Sequence, residues 1–449
     1  MLGIGASGMS MVRWLTGRQA HVRVADTRPA APFAATLRAE FPAIDLHLGP
    51  FVDNVFADAD LIAASPGVAL NAPQIVAARA RGVAVMGDIE LFARVREEWP
   101  QAKVVAITGS NGKSTVTEMV GAMVRAAKTR ALVAGNIGLP ILDAFLEVQS
   151  GQRRRPDVVV LELSSFQLES TSSLHPESAA VLNVSEDHLD RYAGMDAYAQ
   201  AKARIFDGAQ TAVINREDAR VRAMVRPGTQ VLTFGLDEPW AHGNWGLRTI
   251  DGEPWLAEGR ANLMPVRELQ VAGLHNAANA LAALALCRAI QLPYERLLEG
   301  LHSFKGLPHR VQKIAEIRSV SYFDDSKGTN VGATVAALSG MPGKVVLIAG
   351  GDGKGQDFSP LKEAVSRHAR GVVLIGRDRE HIAGAITATM VPIVRAGDMV
   401  EAVRSAAALA SPGDAVLLSP ACASFDMYRD YEHRAKAFAE AVETLGGKN

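Results

Sequence analysis

The sequence has very few cysteines and no excess of charge of either sign. Its 449 residues include two cysteines, Cys287 and Cys422, which lie too far apart for a metal-binding or redox spacing. We interpret both as packing residues of a protein in a reducing compartment. Lys and Arg total 47 and Asp and Glu total 48, so the net charge is −1. This balance argues against nucleic acid or an anionic membrane as a partner.

The sequence also lacks a long apolar run. The most apolar stretch, residues 277–290, carries Asn279 and Arg288 and is too short to cross a bilayer. No signal-peptide pattern is present at the N-terminus. We therefore expect a cytoplasmic protein without membrane insertion, with small molecules as its partners, and we expect a monomer.

The length of the chain and its alternating pattern predict an α/β protein of three domains. A chain of 449 residues is too long for one core, and 48% of its residues are hydrophobic. Short apolar runs alternate with helical patterns, which is typical of open parallel sheets. We place a Rossmann-like domain at 1–92, a central phosphate-loop domain with a mostly parallel sheet at 93–306, and a C-terminal Rossmann-like domain at 307–449.

A glycine-rich turn in the central region is the most informative feature. An apolar run at 103–108 predicts a buried strand, and residues 116–127 predict a helix. The turn between them, GSNGKST at 109–115, has backbone N–H groups that suit a phosphate at a helix N-terminus. Lys113 supplies a positive charge for the outer phosphates, and the Ser114 hydroxyl suits Mg²⁺. The turn is a shortened variant, because Ile107 stands where the generic pattern has glycine.

The N-terminal region carries a weaker nucleotide-binding pattern. Glycines at 3, 5 and 8 precede a predicted helix at 9–16, and Asp26 ends a predicted strand at 21–25. In a dinucleotide fingerprint the glycines admit a diphosphate and the later acid reads a ribose. Only Met1 and Leu2 precede the glycines, so we expect the usual first strand to be absent or truncated.

Two further residues lie inside or after predicted strands near the phosphate loop. Glu162 lies inside an apolar strand, where a carboxylate is costly unless it binds a cation or a partner. An acid at this place in a phosphate-loop fold holds Mg²⁺ through oxygen. His188 also follows a strand end, where ligands gather in open α/β sheets. The alternative for each is a hydrogen-bonded structural residue.

The C-terminal region has several polar turns that ordinary surface loops could also explain. Residues 323–330 (FDDSKGTN) combine acid, base and hydroxyl groups, and 350–355 (GGDGKG) has the composition of an anion cradle. Residues 308–310 and 419–424 add further polar groups. Together they predict a functional edge on this domain.

Seven segments together resemble the Mur ligase family, and the resemblance covers essentially the whole chain in the correct order. They are 109–115 (GSNGKST), 135–138 (GNIG), 161–168 (LELSSFQL), 183–191 (NVSEDHLDR), 275–276 (HN), 307–310 (LPHR) and 325–330 (DSKGTN). The resemblance implies three domains. These are a domain that binds the UDP substrate, a central ATPase domain, and a C-terminal domain that binds an amino acid.

The resemblance also implies roles for individual residues. ATP and its phosphates would contact Gly109, Ser110, Asn111, Gly112, Lys113, Ser114, Thr115, Asn276, Arg310 and Asp325. Two Mg²⁺ ions would be held by Ser114, Glu162, His188 and Lys202, with Lys202 carbamylated. The muramoyl and uridine parts of the substrate would contact Asn136 and Ser7, Asp26, Thr27, Arg28 and Ser65. The amino acid would be surrounded by Lys327, Thr329, Lys354, Ser424 and Tyr431, the last of which stands where the family has phenylalanine.

The implied activity is an ATP-dependent ligation in the cytoplasmic synthesis of peptidoglycan precursors. The enzyme would add D-glutamate to UDP-N-acetylmuramoyl-L-alanine through an acyl phosphate, with Lys113, His188 and Lys202 as catalytic residues. The residues alone do not decide whether His188 or a nearby acid takes the proton from the amine.

Other functions remain open at this point. Related ligases that use meso-diaminopimelate or folyl-glutamate are the nearest alternatives in substrate. A phosphate-loop ATPase switch would leave the polar edge of the C-terminal domain unexplained. A nicotinamide oxidoreductase that uses the N-terminal glycines would leave the turn around Lys113 unexplained.

Overall fold

The computed structural model describes residues 1–188, 191–271, 273–341 and 343–447. The chain forms two compact units. The first unit comprises Met1–Val184, Asp196–Phe234 and Ala282–Gly300. The second comprises Ser185–Met195, Gly235–Leu281 and Leu301–Asn449.

The first unit begins with short parallel strands alternating with helices. The strands are β1 (Arg23–Asp26), β2 (Asp45–Leu48), β3 (Leu61–Ala63) and β4 (Ala84–Met86). The helices are α1 (Ala6–Gly17), α2 (Ala34–Glu40), α3 (Pro73–Ala80) and α4 (Asp88–Ala93). β1 pairs with β2 and β3 pairs with β4, each in parallel.

The short segment before α1 takes a central place in this region. Leu2 makes parallel bridges to both Ala25 and Ala64. The Leu2 N–H donates to the Ala63 carbonyl, and the Gly3 N–H donates to the Ala25 carbonyl, each at 2.8 Å. Residues 1–3 therefore lie between β1 and β3, which gives this region the core of a doubly wound sheet.

The rest of the first unit is built on six parallel strands in the order β10-β9-β8-β5-β7-β6. Their bounds are β5 (Lys103–Thr108), β6 (Ala131–Gly135), β7 (Val158–Glu162), β8 (Ser178–Val181), β9 (Thr211–Asn215) and β10 (Gln230–Phe234). The helices between them are α5 (Lys113–Ala126), α6 (Ile141–Gln149), α7 (Ser165–Leu168), α8 (Met195–Ala203) and α9 (Ala219–Arg222). The middle strands β7 and β8 are mostly apolar because both faces of the sheet are buried.

A three-stranded meander and two helices follow. The meander consists of β11 (Asn244–Ile250), β12 (Glu253–Glu258) and β13 (Ala261–Pro265), and the helices are α10 (Leu274–Ala289) and α11 (Tyr294–His302). Asp251 and Gly252 have φ of 51° and 81°. Positive φ at both central residues defines the hairpin turn that their sequence predicts.

The second unit ends in a six-stranded sheet of order β14-β15-β19-β16-β17-β18. Its strands are β14 (Gln312–Ile317), β15 (Val320–Asp324), β16 (Val345–Gly350), β17 (Ala369–Ile375), β18 (Ile393–Arg395) and β19 (Ala415–Leu418). Its helices are α12 (Val331–Gly340), α13 (Leu361–His368), α14 (Arg379–Ile386), α15 (Met399–Leu409) and α16 (Tyr431–Gly446). The parallel sheet was predicted, whereas the antiparallel edge strand β14 was not. Within the described residues, no helix is long and apolar enough to cross a membrane.

Glu90 on α4 fixes the segment that follows α7. Its side chain is 2% exposed. Its Oε2 accepts the N–H groups of Ser172 and Ser173 at 2.7 and 3.0 Å, and its Oε1 accepts the Ser173 hydroxyl at 2.9 Å. Burial alone would raise the pKa of this carboxyl, but these hydrogen bonds lower it below its ordinary value.

We predict that Glu90→Gln lowers the free energy of unfolding at neutral pH by about 1.5–3 kcal/mol, the range for hydrogen bonds to a charged group. The folded-state pKa is depressed, so this contribution is complete above the ordinary glutamate pKa and is lost as the pH falls below it. Urea denaturation at neutral and acidic pH measures the difference. Glu97→Gln, which alters an exposed carboxyl, is the control. Equal losses of unfolding free energy in Glu90→Gln and Glu97→Gln would contradict the role assigned to Glu90.

Candidate functional site

The phosphate loop joins β5 to α5 and is shaped by a left-handed glycine. Gly112 immediately precedes α5 and has a φ of 84°, a conformation that favours glycine. The Lys113 Nζ donates to the carbonyls of Gly109 and Ser110 at 2.8 and 2.9 Å. The side chain therefore curls over the loop and holds its charge at the N-terminal end of α5, where the helix dipole also favours an anion.

Asn183 fixes this loop, a role that its sequence pattern does not predict. It follows β8, the neighbour of β5, and its Oδ1 accepts the Asn111 N–H at 2.8 Å. Its Nδ2 donates to the Asn111 carbonyl at 3.1 Å, and its carbonyl accepts the Ser110 N–H at 2.9 Å. An amide close to the end of a strand was the available signal, but its hydrogen-bond partner depends on which strands are neighbours.

Glu162 ends β7, and one of its oxygens has no partner within the described chain. The side chain is 2% exposed, its Oε1 accepts the Asn136 Nδ2 at 2.9 Å, and its Oε2 is buried without a hydrogen bond. Gly135 lies so close that a Cβ there would stand 2.3 Å from the Glu162 carbonyl oxygen. The predicted substrate residue Asn136 is therefore placed beside the predicted metal ligand Glu162.

Lys202 lies near the end of α8 and is 1% exposed. Its Nζ donates to the Gly109 carbonyl at 2.9 Å and lies 4.5 Å from the centre of the Tyr198 ring. The Tyr198 hydroxyl in turn accepts from the Ser110 hydroxyl at 3.3 Å. Lys202 is therefore brought to the phosphate loop, and Tyr198 is a further loop residue that the sequence analysis missed.

The predicted uridine residues lie in the N-terminal part of the same unit. Asp26 ends β1, is 2% exposed, and accepts hydrogen bonds from the Ile4 N–H and from Arg28. Ser65 follows β3, and its N–H donates to the Leu2 carbonyl at 2.9 Å. Ser7 lies in the first turn of α1. These residues, with Thr27, follow neighbouring strands at one edge of the sheet.

In the second unit, three loops meet at the carboxyl ends of β15, β19 and β16. The Asp325 N–H donates to the Leu418 carbonyl, the Ala421 N–H to the Gly328 carbonyl, and the Gly350 N–H to the Pro420 carbonyl. These loops carry the predicted residues Asp325, Lys327, Thr329, Lys354 and Ser424. The topology therefore gathers five separately predicted residues at one edge of this sheet.

Two sets of contacts made by cationic side chains hold these loops in place. The Lys327 Nζ lies 3.8 Å from the centre of the Tyr431 ring. Arg434 is 1% exposed and donates to the Ser326 hydroxyl, the Ser326 carbonyl and the Cys422 carbonyl at 2.8–3.1 Å. Burial lowers the pKa of Arg434 to about 10. Arg434 was not predicted, although an arginine on the apolar face of a helix could have indicated it.

A cavity of about 130 Å³ in the second unit joins His188 to the predicted amino-acid residues. Its lining includes Glu186, Asp187 and His188 together with Thr329 and Lys354.

Leu189 and Asp190 of the same sequence motif lie outside the described residues. Over the described residues, no three His, Cys, Asp or Glu side chains form a ready metal cluster, and Glu162 and His188 belong to different units.

Three family profiles match the chain. Residues 1–87 match "Mur ligase MurD-like, N-terminal domain", residues 107–287 match "Mur ligase middle domain", and residues 309–422 match "Mur ligase, glutamate ligase domain". Together they follow the order of the three domains expected from the sequence.

Similar relatives align over the full chain. A UDP-N-acetylmuramoylalanine--D-glutamate ligase of Nitrosomonas eutropha is 55% identical over 454 residues, covering 100% of this chain and 96% of the relative. A ligase of the same description from Thiobacillus denitrificans is 56% identical over 460 residues, with the same two coverages.

Similar solved structures confirm the three-domain α/β fold. MurF from Acinetobacter baumannii has a TM-score of 0.63 at 18% identity, covering 99% of this chain and 90% of its own. UDP-N-acetylmuramate-alanine ligase from Thermotoga maritima has a TM-score of 0.60 at 20% identity, covering 99% and 98%.

Asp325 gives this region a testable pH dependence. Burial raises its pKa to about 7, although the Ser419 hydroxyl donates to it at 2.7 Å. Because the pKa of Asp325 is higher in the folded than in the unfolded chain, folding is favoured when the carboxyl is protonated. The free energy of unfolding therefore falls as the pH rises from about 4 to about 7. We predict that the unfolding midpoint of the wild type falls relative to that of Asp325→Asn across this window. The free energies of unfolding of the two proteins should diverge by about 1.4 kcal/mol for each unit by which folding shifts the pKa. Parallel pH profiles of the two proteins would contradict it.

Proposed function

Because the chain belongs to the Mur ligase family, we propose that it is an ATP-dependent, ADP-forming ligase that adds D-glutamate to UDP-N-acetylmuramoyl-L-alanine. The observation that carries this proposal is the 55–56% identity, over 100% of the chain, to ligases of that description. We further propose that it acts in the cytoplasm, in the synthesis of peptidoglycan precursors, as a monomer.

We propose that each of the three domains binds the ligand that the resemblance implies for it. The domains would be 1–92 for the uridine nucleotide, 93–306 for ATP and 307–449 for the amino acid. The geometry of the phosphate loop supports ATP binding, since Lys113 and the N-terminal end of α5 provide positive potential at one place. In our proposal Asn276, Arg310 and Asp325 also contact the nucleotide.

The donor groups in the first unit fit Mg²⁺. The Glu162 Oε2 is a buried oxygen without a hydrogen bond within the described chain, which is unfavourable unless a cation binds it. Oxygen donors such as Glu162 and the Ser114 hydroxyl are those that Mg²⁺ prefers. In our proposal His188 and Lys202 complete the sites of two ions. When bound, Mg²⁺ would neutralise negative charge on the transferred phosphoryl group.

The chemistry follows from bringing two anions together. The carboxylate of the muramoyl substrate attacks the γ-phosphorus of ATP, an acyl phosphate forms, and ADP leaves. The amine of D-glutamate then attacks the acyl carbon, the C–O bond to phosphate breaks, and the amine loses a proton. Lys113 reduces the repulsion in the first step because its ammonium lies at the loop that would hold the phosphates.

The second unit would recognise the amino acid by charge. D-glutamate has two carboxylates, and Lys327, Lys354, Thr329 and Ser424 offer ammonium and hydroxyl donors. The Tyr431 ring holds Lys327 in place through its face. In the first unit, Asn136 would contact the muramoyl part, and Ser7, Asp26, Thr27, Arg28 and Ser65 would hold the uridine part.

Phosphate release from ATP tests the function directly. We expect release with UDP-N-acetylmuramoyl-L-alanine and D-glutamate together, and little with either substrate alone. L-glutamate, meso-diaminopimelate and L-alanine in place of D-glutamate should give little release. A preference for one of these amino acids would contradict the proposed specificity, although not the family.

Lys113→Ala provides the corresponding test of the phosphate loop. Loss of this cation should lower kcat by about 100-fold or more, because a single group that stabilises developing charge contributes several kcal/mol. The matched control is Lys362→Ala, which removes an exposed lysine outside the site. Near-normal turnover of a folded Lys113→Ala protein would rule out the nucleotide assignment.

We also propose that Lys202 is carbamylated in the active enzyme. The amine is buried beside the Gly109 carbonyl, so a carbamate there would place an anionic oxygen donor at the phosphate loop. Carbamylation of the ammonium group joins the Nζ to the carbon of CO₂ and releases two protons. It would convert a buried cation into a group that fits Mg²⁺.

Labelled bicarbonate tests the modification without relying on turnover. Wild-type protein incubated with ¹³C-bicarbonate should show a carbamate carbon signal by NMR, and Lys202→Ala should lose it. Lys103→Ala, which removes another lysine of the first unit, should keep the signal. Activity lost in Lys202→Ala should return in part with short carboxylates. A wild-type spectrum without a carbamate signal would overturn the proposal.

A further inference from the structure

A tight turn at residues 353–356 presents Lys354 at its tip. The Gln356 N–H donates to the Gly353 carbonyl at 3.0 Å, which closes the turn. Lys354 and Gly355 at its centre are exposed and have φ of 50° and 75°. Positive φ at both central residues is the mark of a type I′ turn, and it is unfavourable for lysine because its Cβ crowds the backbone. The turn therefore depends on contacts made by the residues around it.

The Gln356 side chain supplies such contacts and reaches three loops. Its Nε2 donates to the Gly353 carbonyl at 2.9 Å and to the Ala421 carbonyl at 3.3 Å. Its Oε1 accepts the Val331 N–H at 3.1 Å. Gly353 follows β16, Ala421 follows β19, and Val331 begins α12, which follows β15. One amide therefore joins the loops that meet at this edge of the sheet.

The chemistry of these partners requires an amide. Two of them are carbonyls, which only accept, and the third is an N–H of the first helical turn, which has no partner within the helix. A carboxylate at Gln356 would place negative charge against two carbonyl oxygens, and an apolar side chain would leave all three groups without this partner. Both N–H groups of the Gln356 amide are used within the chain, so none is left to donate to a ligand.

The residues beside these contacts are among those that we propose for the amino acid. Lys354 lies in the turn itself, and Thr329 lies shortly before Val331. Both line the cavity of about 130 Å³, and so does Gln356. A shift of the turn would move the Lys354 ammonium relative to the Thr329 hydroxyl. Misplacement of a substrate by about 1 Å can lower a rate by about 100-fold.

We propose that Gln356 is a positioning residue for Lys354 in the recognition of the amino acid. Its amide holds the turn at 353–356 against the loops that follow β15 and β19. The inference rests on the proposed use of D-glutamate, because the Lys354 ammonium would pair with a carboxylate of that substrate. It assigns part of the affinity for the amino acid to a side chain that does not touch it.

Steady-state kinetics at saturating ATP and UDP-N-acetylmuramoyl-L-alanine test this role. Gln356→Met keeps the approximate length of the side chain and removes its three hydrogen bonds. We expect it to raise the KM for D-glutamate by about tenfold, the effect of losing one or two net hydrogen bonds, and to change the KM for ATP by less than about twofold. Gln356→Glu keeps an acceptor for the Val331 N–H but loses both donors, and it should raise the KM for D-glutamate at least as much.

A second variant shows whether Gln356 acts through Lys354. In a Lys354→Ala background, adding Gln356→Met should change the KM for D-glutamate by less than about twofold, since the ammonium to be positioned is already gone. A general loosening of the domain would instead raise this KM by the same factor in both backgrounds. If Lys354→Ala is too slow to measure, the two Gln356 variants alone decide, and Gln356→Glu replaces Gln356→Met if the latter does not fold.

The control is Gln270→Met, which removes an exposed glutamine elsewhere in the second unit and should keep the wild-type KM values. Urea denaturation shows that each variant is folded. Two outcomes would overturn the inference. One is a folded Gln356 variant whose KM for D-glutamate lies within about twofold of the wild type, and the other is an equal rise of that KM with and without Lys354. A wild type that releases no phosphate with D-glutamate would instead contradict the proposed function, before any variant is compared.

Discussion

Parallel strand pairing fixes the position of almost every candidate residue in this protein. Strands that run in one direction end at one edge, and the register decides which residues meet there. Ile107 of β5 and Gly135 of β6 both pair with Glu162 of β7, so the phosphate loop, Asn136 and Glu162 follow strands that end together. In the second unit, the loops after β15, β16 and β19 meet for the same reason.

The first unit maintains two buried charges close to its phosphate loop. Glu162 and Lys202 are 2% and 1% exposed, and burial of ionised groups is unfavourable unless partners compensate for lost water. Lys202 is compensated by the Gly109 carbonyl and the Tyr198 ring, and Glu162 by the Asn136 amide. The Glu162 Oε2, which has no hydrogen bond within the described chain, favours a bound cation.

The sequence predicted the features that neighbouring residues determine. It did not predict the contacts that depend on the order of the strands in the sheet. The turn at 109–115 and the hairpin at Asp251 were predictable because neighbouring residues determine them. The hydrogen bonds of Asn183 to the phosphate loop were not predictable, because they require β8 to lie next to β5. The edge strand β14 and the buried Arg434 were missed for the same reason. The predicted ligand role of His188 cannot be derived from its pattern, since its surroundings come from distant segments.

Two buried carboxylates show why exposure alone does not identify a functional acid. Asp26 and Glu162 each end a parallel strand and are each 2% exposed. Asp26 accepts four hydrogen bonds, and burial that would raise its pKa is outweighed by the bonds from Arg28 and Ile4, which lower it to about 2. Glu162 has an oxygen without a partner within the described chain. Four accepted hydrogen bonds stabilise the ionised form of Asp26, whereas the unpartnered oxygen of Glu162 is available to a cation.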